Sequence, residues 1–586
     1  MKRKAFVFVL AALLISCTFA GCGKYVPGGI EGDKDGGVVL DPNKTTLSVQ
    51  VYNGGTGTKW IANMANAWNP TNAKYQIQVS GKKDFASDVE TALKGGPTMY
   101  SAYFTPDPGF QMGIMSDMFE DLSDIANARP DGEGGLTVRE KLLDPLWEPA
   151  ASKNGQGIYM LPYADSYVGM VYDHRMFTEN GWTSTAPVSA QAAVTAQGIV
   201  STASNSKLIF QSASGRTNYK AGDVILTAGK DGKYGTYDDG QPQTETEFTA
   251  MIQAIMPVAK PFIYTGGHLD YVEPILRAAF AQIAGIPASD TFYTYDSKGV
   301  NFALRGAAAE PITVDNGYKV FGAAGLYTGL EFINTYFNES TLLHPACLGL
   351  ASHTDTQKNY ILGYRNINTN PLSAILIEGN WWENEARGSF EGLGEDRAYG
   401  KRDYRFMLLP DFAGQKGIDG TGHGSVFSVQ DNGAFVVPKT EDKEKLAAIK
   451  EFLTFTLSEE NLRKFTVETG VIRPYQYSLT DEDRAAMTRF AVTAYDVYRD
   501  AENIKIIRPF LLKAATPLNY NAVTKSGSDF PVRFGGMEYA RILLALRQMN
   551  YASASLEDVF NGMKGFYSVS QWGQFVDAAR NAGYYK

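Results

Sequence analysis

Near the start of the chain, three short apolar runs alternate with two runs of helical spacing, and this order restricts the fold more than any other feature. In TTLSVQVYNGG, Leu47, Val49 and Val51 alternate with polar residues up to Asn53-Gly54-Gly55, the pattern of a strand and its stop. TKWIANMANAWNP follows, with Trp60, Met64 and Trp68 on one helical face. KYQIQVS reads as a second strand, FASDVETALKGG as a second helix ended by glycine, and TMYSAYF as a third strand. A β-α-β-α-β order calls for a parallel sheet with helices on its faces. Ligands of such sheets bind beyond the carboxyl ends of the strands, which singles out Asn53, Gly54, Tyr103, Phe104 and Asp107.

The residues ahead of this sheet bear on location. MKRKAFVFVLAALLISCTFAGCGK has a basic start, an apolar run from Ala5 to Ile15 that is too short for a spanning helix, and small residues before a cysteine. It resembles the bacterial lipoprotein lipobox. The resemblance implies a signal peptide over 1–21 and lipidation of Cys22, with Cys17 as a second candidate, and hence a protein held at the outer face of the cell membrane by acyl chains. Residues 22–45 are rich in Gly, Asp and Lys and read as a flexible tether. Cys347 is the one further cysteine, so the body holds itself together through its core without a disulfide. About 540 residues exceed what one core usually serves, so at least two domains are expected. The net charge is -9 and no Lys/Arg block stands out, which argues against a nucleic-acid partner.

Five further segments occur in a telling order. GIYMLPYADSYVGMVYDHRMFTENGW carries Leu-Pro, a Gly-x-x-Tyr-Asp step, Met-Phe and Gly-Trp; KPFIYTGG follows, then EGNWWENEA, DNGAFVVPKTEDKEKLAAIKEFLTFTLSEENLRKF and TGVIRPYQ. Together they resemble the carbohydrate-type extracellular solute-binding proteins of bacterial ABC importers. That resemblance implies an α/β, two-lobe periplasmic-binding-protein-like fold with a hinge and an interlobe ligand cleft. Lobe one would span 46–168 and 436–512, and an enlarged lobe two 169–435 and 513–586, with crossings near Val168, Phe435 and Leu512. It also implies a monomeric, non-catalytic receptor that captures a carbohydrate, in all expectation an oligosaccharide, and passes it to permease subunits.

Sugar recognition needs aromatic faces for the apolar side of the ring and carboxylates, amides or arginines for its hydroxyls. With 33 Tyr, 32 Phe and 7 Trp, the chain has the supply. Aromatics beside polar residues at predicted strand ends give the candidates: Asn53, Tyr103, Asp107, Asp165, Tyr264, His268, Trp381, Trp382 and Glu383. Trp381 or Trp382 is the expected stacking platform, with Glu383 or Glu378 on hydroxyls; Arg387 and Arg473 keep an acidic sugar open. In the Gly-rich segment 223–248, Asp231, Asp238 and Asp239 offer oxygen ligands for a structural calcium, although their spacing departs from the EF-hand template. The five histidines are scattered and have no zinc-site spacing, and no phosphate-binding loop or nucleophile elbow occurs. The competing readings are a surface glycoside hydrolase, which needs two carboxyl groups about 5–10 Å apart, and a binding protein for a non-sugar solute.

Overall fold

The computed structural model describes residues 37–83, 98–106, 116–153, 155–185, 207–209, 223–363, 370–514 and 529–581. Its main sheet has nine strands: β1 (Thr45–Tyr52), β2 (Tyr75–Lys82), β3 (Tyr100–Thr105), β4 (Leu161–Asp173), β5 (Lys260–Ile263), β6 (Ser373–Gly379), β7 (Tyr404–Met407), β8 (Ser425–Val436) and β9 (Ile504–Ile507). The order is β2-β1-β3-β8-β4-β6-β5, with β7 added to β4 and β9 to β8. The helices used below are α1 (Lys59–Trp68), α2 (Glu273–Ala284), α3 (Ala324–Phe337), α4 (His353–Leu362), α5 (Lys443–Phe455), α6 (Glu459–Thr469) and α7 (Arg489–Arg499).

The parallel opening read from the sequence is present: β1 pairs in parallel with both β2 and β3. The second expected helix lies outside the described residues. Two long strands then give the sheet two parts. β4 pairs with β8 from Leu161 to Val168, and at its other end pairs with β6 through Val168–Tyr172 and β7 through Met170–Asp173. β8 joins β3 at Ala434–Val436 and β9 at Ser425–Ser428. Between Val429 and Ala434 its register against β4 breaks twice. A strand that changes partners along its length carries one subsheet at each end, and irregular pairing between them is where the backbone turns most easily.

Each part has its own aromatic cluster within one continuous core. In the first, α1 buries Trp60, Ile61, Met64, Ala65 and Trp68, the face expected from its spacing. The Trp60 ring stacks on Tyr163 at 5.7 Å and meets Phe104 and Phe465 edge-on at 5.6 and 4.8 Å. Such pairs add about 0.5–1.5 kcal/mol each beyond area burial. In the second, α2 and α3 pack together, and Phe248, Phe262, Phe332 and Tyr336 interlock around β5. All seven residues of β6 are buried. A strand covered on both faces reads as a continuous apolar run, which explains SAILIEG and leaves its acid, Glu378, 1% exposed.

Candidate functional site

The tandem tryptophan follows β6 at its carboxyl end and opens a single helical turn, Trp382–Glu385. Neighbouring side chains on such a turn diverge by about 100°, so the two indoles leave in different directions. Trp382 is fully buried in a cage of Tyr404, Phe490, Tyr360 and Phe390, with centroids 5.0, 5.8, 5.9 and 6.3 Å away. It anchors the turn. Trp381 points to the seam between the two parts. A Cβ built on Gly55, in the turn after β1, would lie 2.2 Å from its Cδ1, and one built on Gly379 would lie 2.0 Å from its six-membered ring. The indole is therefore pressed against backbone that only glycine leaves bare. The Asn384 amide donates to the Gly55 carbonyl at 3.0 Å and fastens the same turn.

A second wall meets Trp381 from the segment after β5. Thr265 Oγ1 and the Gly267 N–H both donate to the Ala351 carbonyl at 2.9 Å. This ties YTGGHLDY to the entry of α4, where Ser352 caps the helix and His353 is its first residue. His268 and His353 then lie 6.0 Å apart by ring centroid; Tyr271 stacks parallel to His353 at 6.5 Å and meets Trp381 edge-on at 6.3 Å. Lys83, beyond β2, is near enough for its charge to act on His353 across the seam.

Behind these rings runs a polar chain. Gln357 Nε2 donates to Glu378 Oε1 at 3.0 Å and to Glu385 Oε2 at 2.8 Å, and Glu385 Oε1 is 3.5 Å from His353 Nε2. The contact with Glu385 holds the His353 imidazolium above the ordinary histidine range. Burial, reinforced by Glu385, pushes the Glu378 carboxyl up to about 8. His353, Gln357 and Glu385 were not among the sequence candidates. HTDTQ carries no pattern of its own, and only the loop tie at Ala351 brings it to the tryptophan.

The other candidates divide. Asn53 lies half-buried at the end of β1, next to the turn that Trp381 contacts, and His268 is exposed in the aromatic wall. Tyr103 is fully buried, sharing a hydrogen bond with Thr98, and Tyr264 is buried with its hydroxyl donating to the Phe337 carbonyl at 2.7 Å. Both belong to cores, because the sheet is covered on both faces where an open strand end was expected. Asp165 is also enclosed: it accepts from Arg508 at 2.8 Å and from Tyr498 at 2.7 Å, as a buried ion pair on β4 where the strand changes partners. Glu383 is 2% exposed, accepts from Thr488, and is pushed up to about 7 by burial, so it faces inward beside Trp382. Asp107 and Cys22 lie outside the described residues.

The aspartate loop closes on itself. Asp238 accepts from the Lys230 and Asp231 N–H groups at 2.7 and 3.1 Å and from the Thr236 hydroxyl at 2.9 Å; Asp239 accepts from the Gly235 N–H at 2.8 Å. Asp231 accepts from the Lys233 N–H. Calcium needs converging oxygens; here three of them accept from amide or hydroxyl hydrogens of the loop, while Asp239 Oδ1 is buried without a hydrogen-bond partner. Burial, with the neighbouring aspartates, raises Asp238 to about 6 and Asp239 to about 7. Among the described residues no group of three His, Cys, Asp or Glu side chains is placed to hold a metal ion.

No family model and no curated protein sequence matches the chain. Solved structures do. A chitin oligosaccharide binding protein matches over 92% of this chain and 100% of its own, at a TM-score of 0.54 and 12% identity. Maltose-bound MalE3 of T. maritima matches over 89% and 98%, at 0.52 and 11%. A probable secreted solute-binding lipoprotein from Streptomyces coelicolor matches over 90% and 99%, at 0.52 and 13%. At these identities the likeness is one of fold: the chain has the two-lobe, periplasmic-binding-protein-like architecture.

Proposed function

We propose that this chain, built on the two-lobe fold, is a non-catalytic receptor that captures a carbohydrate between its lobes and delivers it to the permease of an ABC importer. The placement of Trp381 carries the reading. Its indole meets the first lobe at Gly55 and the second at Tyr271, so parting of the lobes uncovers an aromatic face and closure covers it again. A sugar ring stacked there touches both lobes only in the closed form, and that difference is what drives closure. The names of the structural neighbours, which include chitin-oligosaccharide and maltose binding, support a saccharide ligand. Acylation of Cys22 would hold the receptor at the membrane; among the described residues no helix is long and apolar enough to cross one.

Hydrolysis would need two carboxyl groups on either side of an open scissile bond. Glu378 and Glu385 share one amide nitrogen, and Glu378 is enclosed, so the pair does not flank such a space. The test is a thermal-shift screen of the full chain against mono- and oligosaccharides. At least one oligosaccharide raises the melting temperature without turnover. Trp381→Ala removes that shift, whereas Trp382→Ala costs about 3–5 kcal/mol of stability and so lowers the ligand-free melting temperature itself. Product formation, or an undiminished shift in Trp381→Ala, would overturn the reading.

A further inference from the structure

The helix Ile542–Ala552 is remote from the Trp381 turn in sequence, yet it packs against Leu269–Val272, the stretch that carries Tyr271. Its apolar face is buried, and Arg547 stands half-buried beside that face. One guanidinium nitrogen, Nη2, donates to the Tyr264 hydroxyl at 3.1 Å and to the Cys347 carbonyl at 2.7 Å. Tyr264 opens the wall segment YTGGHLDY, and Cys347 lies in the helical turn Pro345–Leu348 that leads to Ala351 and His353. Arg547 therefore joins the two segments that carry the Tyr271–His353 stack.

The join is a crowded one. A Cβ built on Gly266 would lie 2.3, 2.5 and 2.8 Å from the carbonyl oxygens of Gly349, Ala346 and Cys347, so one segment is set into the other with no side chain between them. The carbonyl oxygens gathered there carry like partial charges, and a cation on one of them offsets their repulsion. Arginine suits the last carbonyls of a helical turn for this reason. The other ties at this place are neutral: the Tyr264 N–H to Cys347 Sγ at 3.3 Å, and the bonds from Thr265 and Gly267 to the Ala351 carbonyl. Arg541, just ahead of the same helix, donates to Glu273 at 3.3 Å and so holds the far end of the wall.

We infer that Arg547 is a positioning residue of the cleft: it locks YTGGHLDY to the Cys347 turn and so sets the Tyr271–His353 stack against Trp381. Its part in ligand capture rests on the receptor reading; its hold on the wall does not.

The test compares Arg547→Met, Arg547→Lys and Tyr264→Phe in the full chain. The ligand-free readout is the titration of His353, followed by NMR with isotope-labelled histidine and assigned with His353→Gln. His353 faces Glu385, with Glu378 and Lys83 further off. Deleting a cation while nothing moves would raise the His353 midpoint, whereas a wall that slides away from Glu385 lowers it. The expected result is a midpoint lowered by about 0.5 pH unit or more in Arg547→Met and by less in Tyr264→Phe. Arg547→Lys keeps the parental midpoint, because both bonds leave one nitrogen and an ammonium can make both. Calorimetry with chito- and malto-oligosaccharides supplies the second readout. A sugar that binds the parent should bind Arg547→Met about tenfold more weakly and Arg547→Lys within about threefold of the parent. A parental or raised midpoint in folded Arg547→Met overturns the inference, and so does parental affinity of that variant; the receptor stands in either case. Should Arg547→Met not fold, the midpoint of Tyr264→Phe decides in the same way. If no oligosaccharide binds the parent, the saccharide reading falls, and the His353 midpoint still decides whether Arg547 positions the wall.

Discussion

The tandem tryptophan shows how far a single residue can be read without coordinates. Two adjacent indoles among carboxylates announce a divided environment, and the division exists: Trp382 fills a cage and Trp381 stands at the seam. Which does which depends on Tyr404 and Phe490 on one side and Gly55 on the other, all distant in sequence. Glu383 was misjudged for the same reason, since nothing near it announces Thr488 or the depth of burial. Its burial makes a testable statement. A carboxyl raised from 4.5 to about 7 folds at full stability below pH 4.5 and loses that contribution as pH rises through 7, because ionisation then costs more in the folded state. Glu383→Gln should match the parent at pH 4 and exceed its unfolding free energy by on the order of 3 kcal/mol at pH 8. Urea unfolding at the two pH values checks this, and an equal difference at both would exclude an ionisation effect.

Among the elements, those with strong periodicity were legible and their partners were not. β1, α1, β2 and β3 follow from alternation and from the Trp60-Met64-Trp68 face. Tyr103 and Tyr264 were placed at open strand ends because a lone strand gives no sign of what covers it; Thr98 and the Phe337 carbonyl do so here. The turn after β1 is the element that lies closest against Trp381 from the other part of the sheet. A methyl group on Gly55 has no room beside Trp381, so Gly55→Ala must lift the turn from the indole. Since Gly55 itself is only partly buried, the expected change in global stability is within about 1 kcal/mol. Tryptophan emission of the ligand-free protein should shift to longer wavelength as Trp381 gains water, and stabilisation by the bound sugar should shrink. Emission identical to the parent would mean that the turn does not press on the indole in solution.

For the molecule as a whole, the two-lobe plan was visible in the order of motifs, and the crossings expected near Val168 and Phe435 fall on β4 and β8; that these two strands pair with each other was not visible, because such pairing leaves no local trace. Asp165 sits at that junction with Arg508, which also reaches Asp144 at 3.1 Å. Removing the guanidinium leaves a carboxylate enclosed without its cation, so Arg508→Met should cost about 3–5 kcal/mol, and adding Asp165→Asn should return part of it. Chemical denaturation of the single and double variants measures both. The junction has a further consequence for how the protein comes into being. β3 finds its neighbour, Ala434–Val436 of β8, only after more than three hundred further residues have been made. The opening subsheet therefore waits, incomplete at one edge, until most of the nascent chain exists. Contacts so remote make for slow folding, and the incomplete edge of β3 stays exposed for as long as that takes.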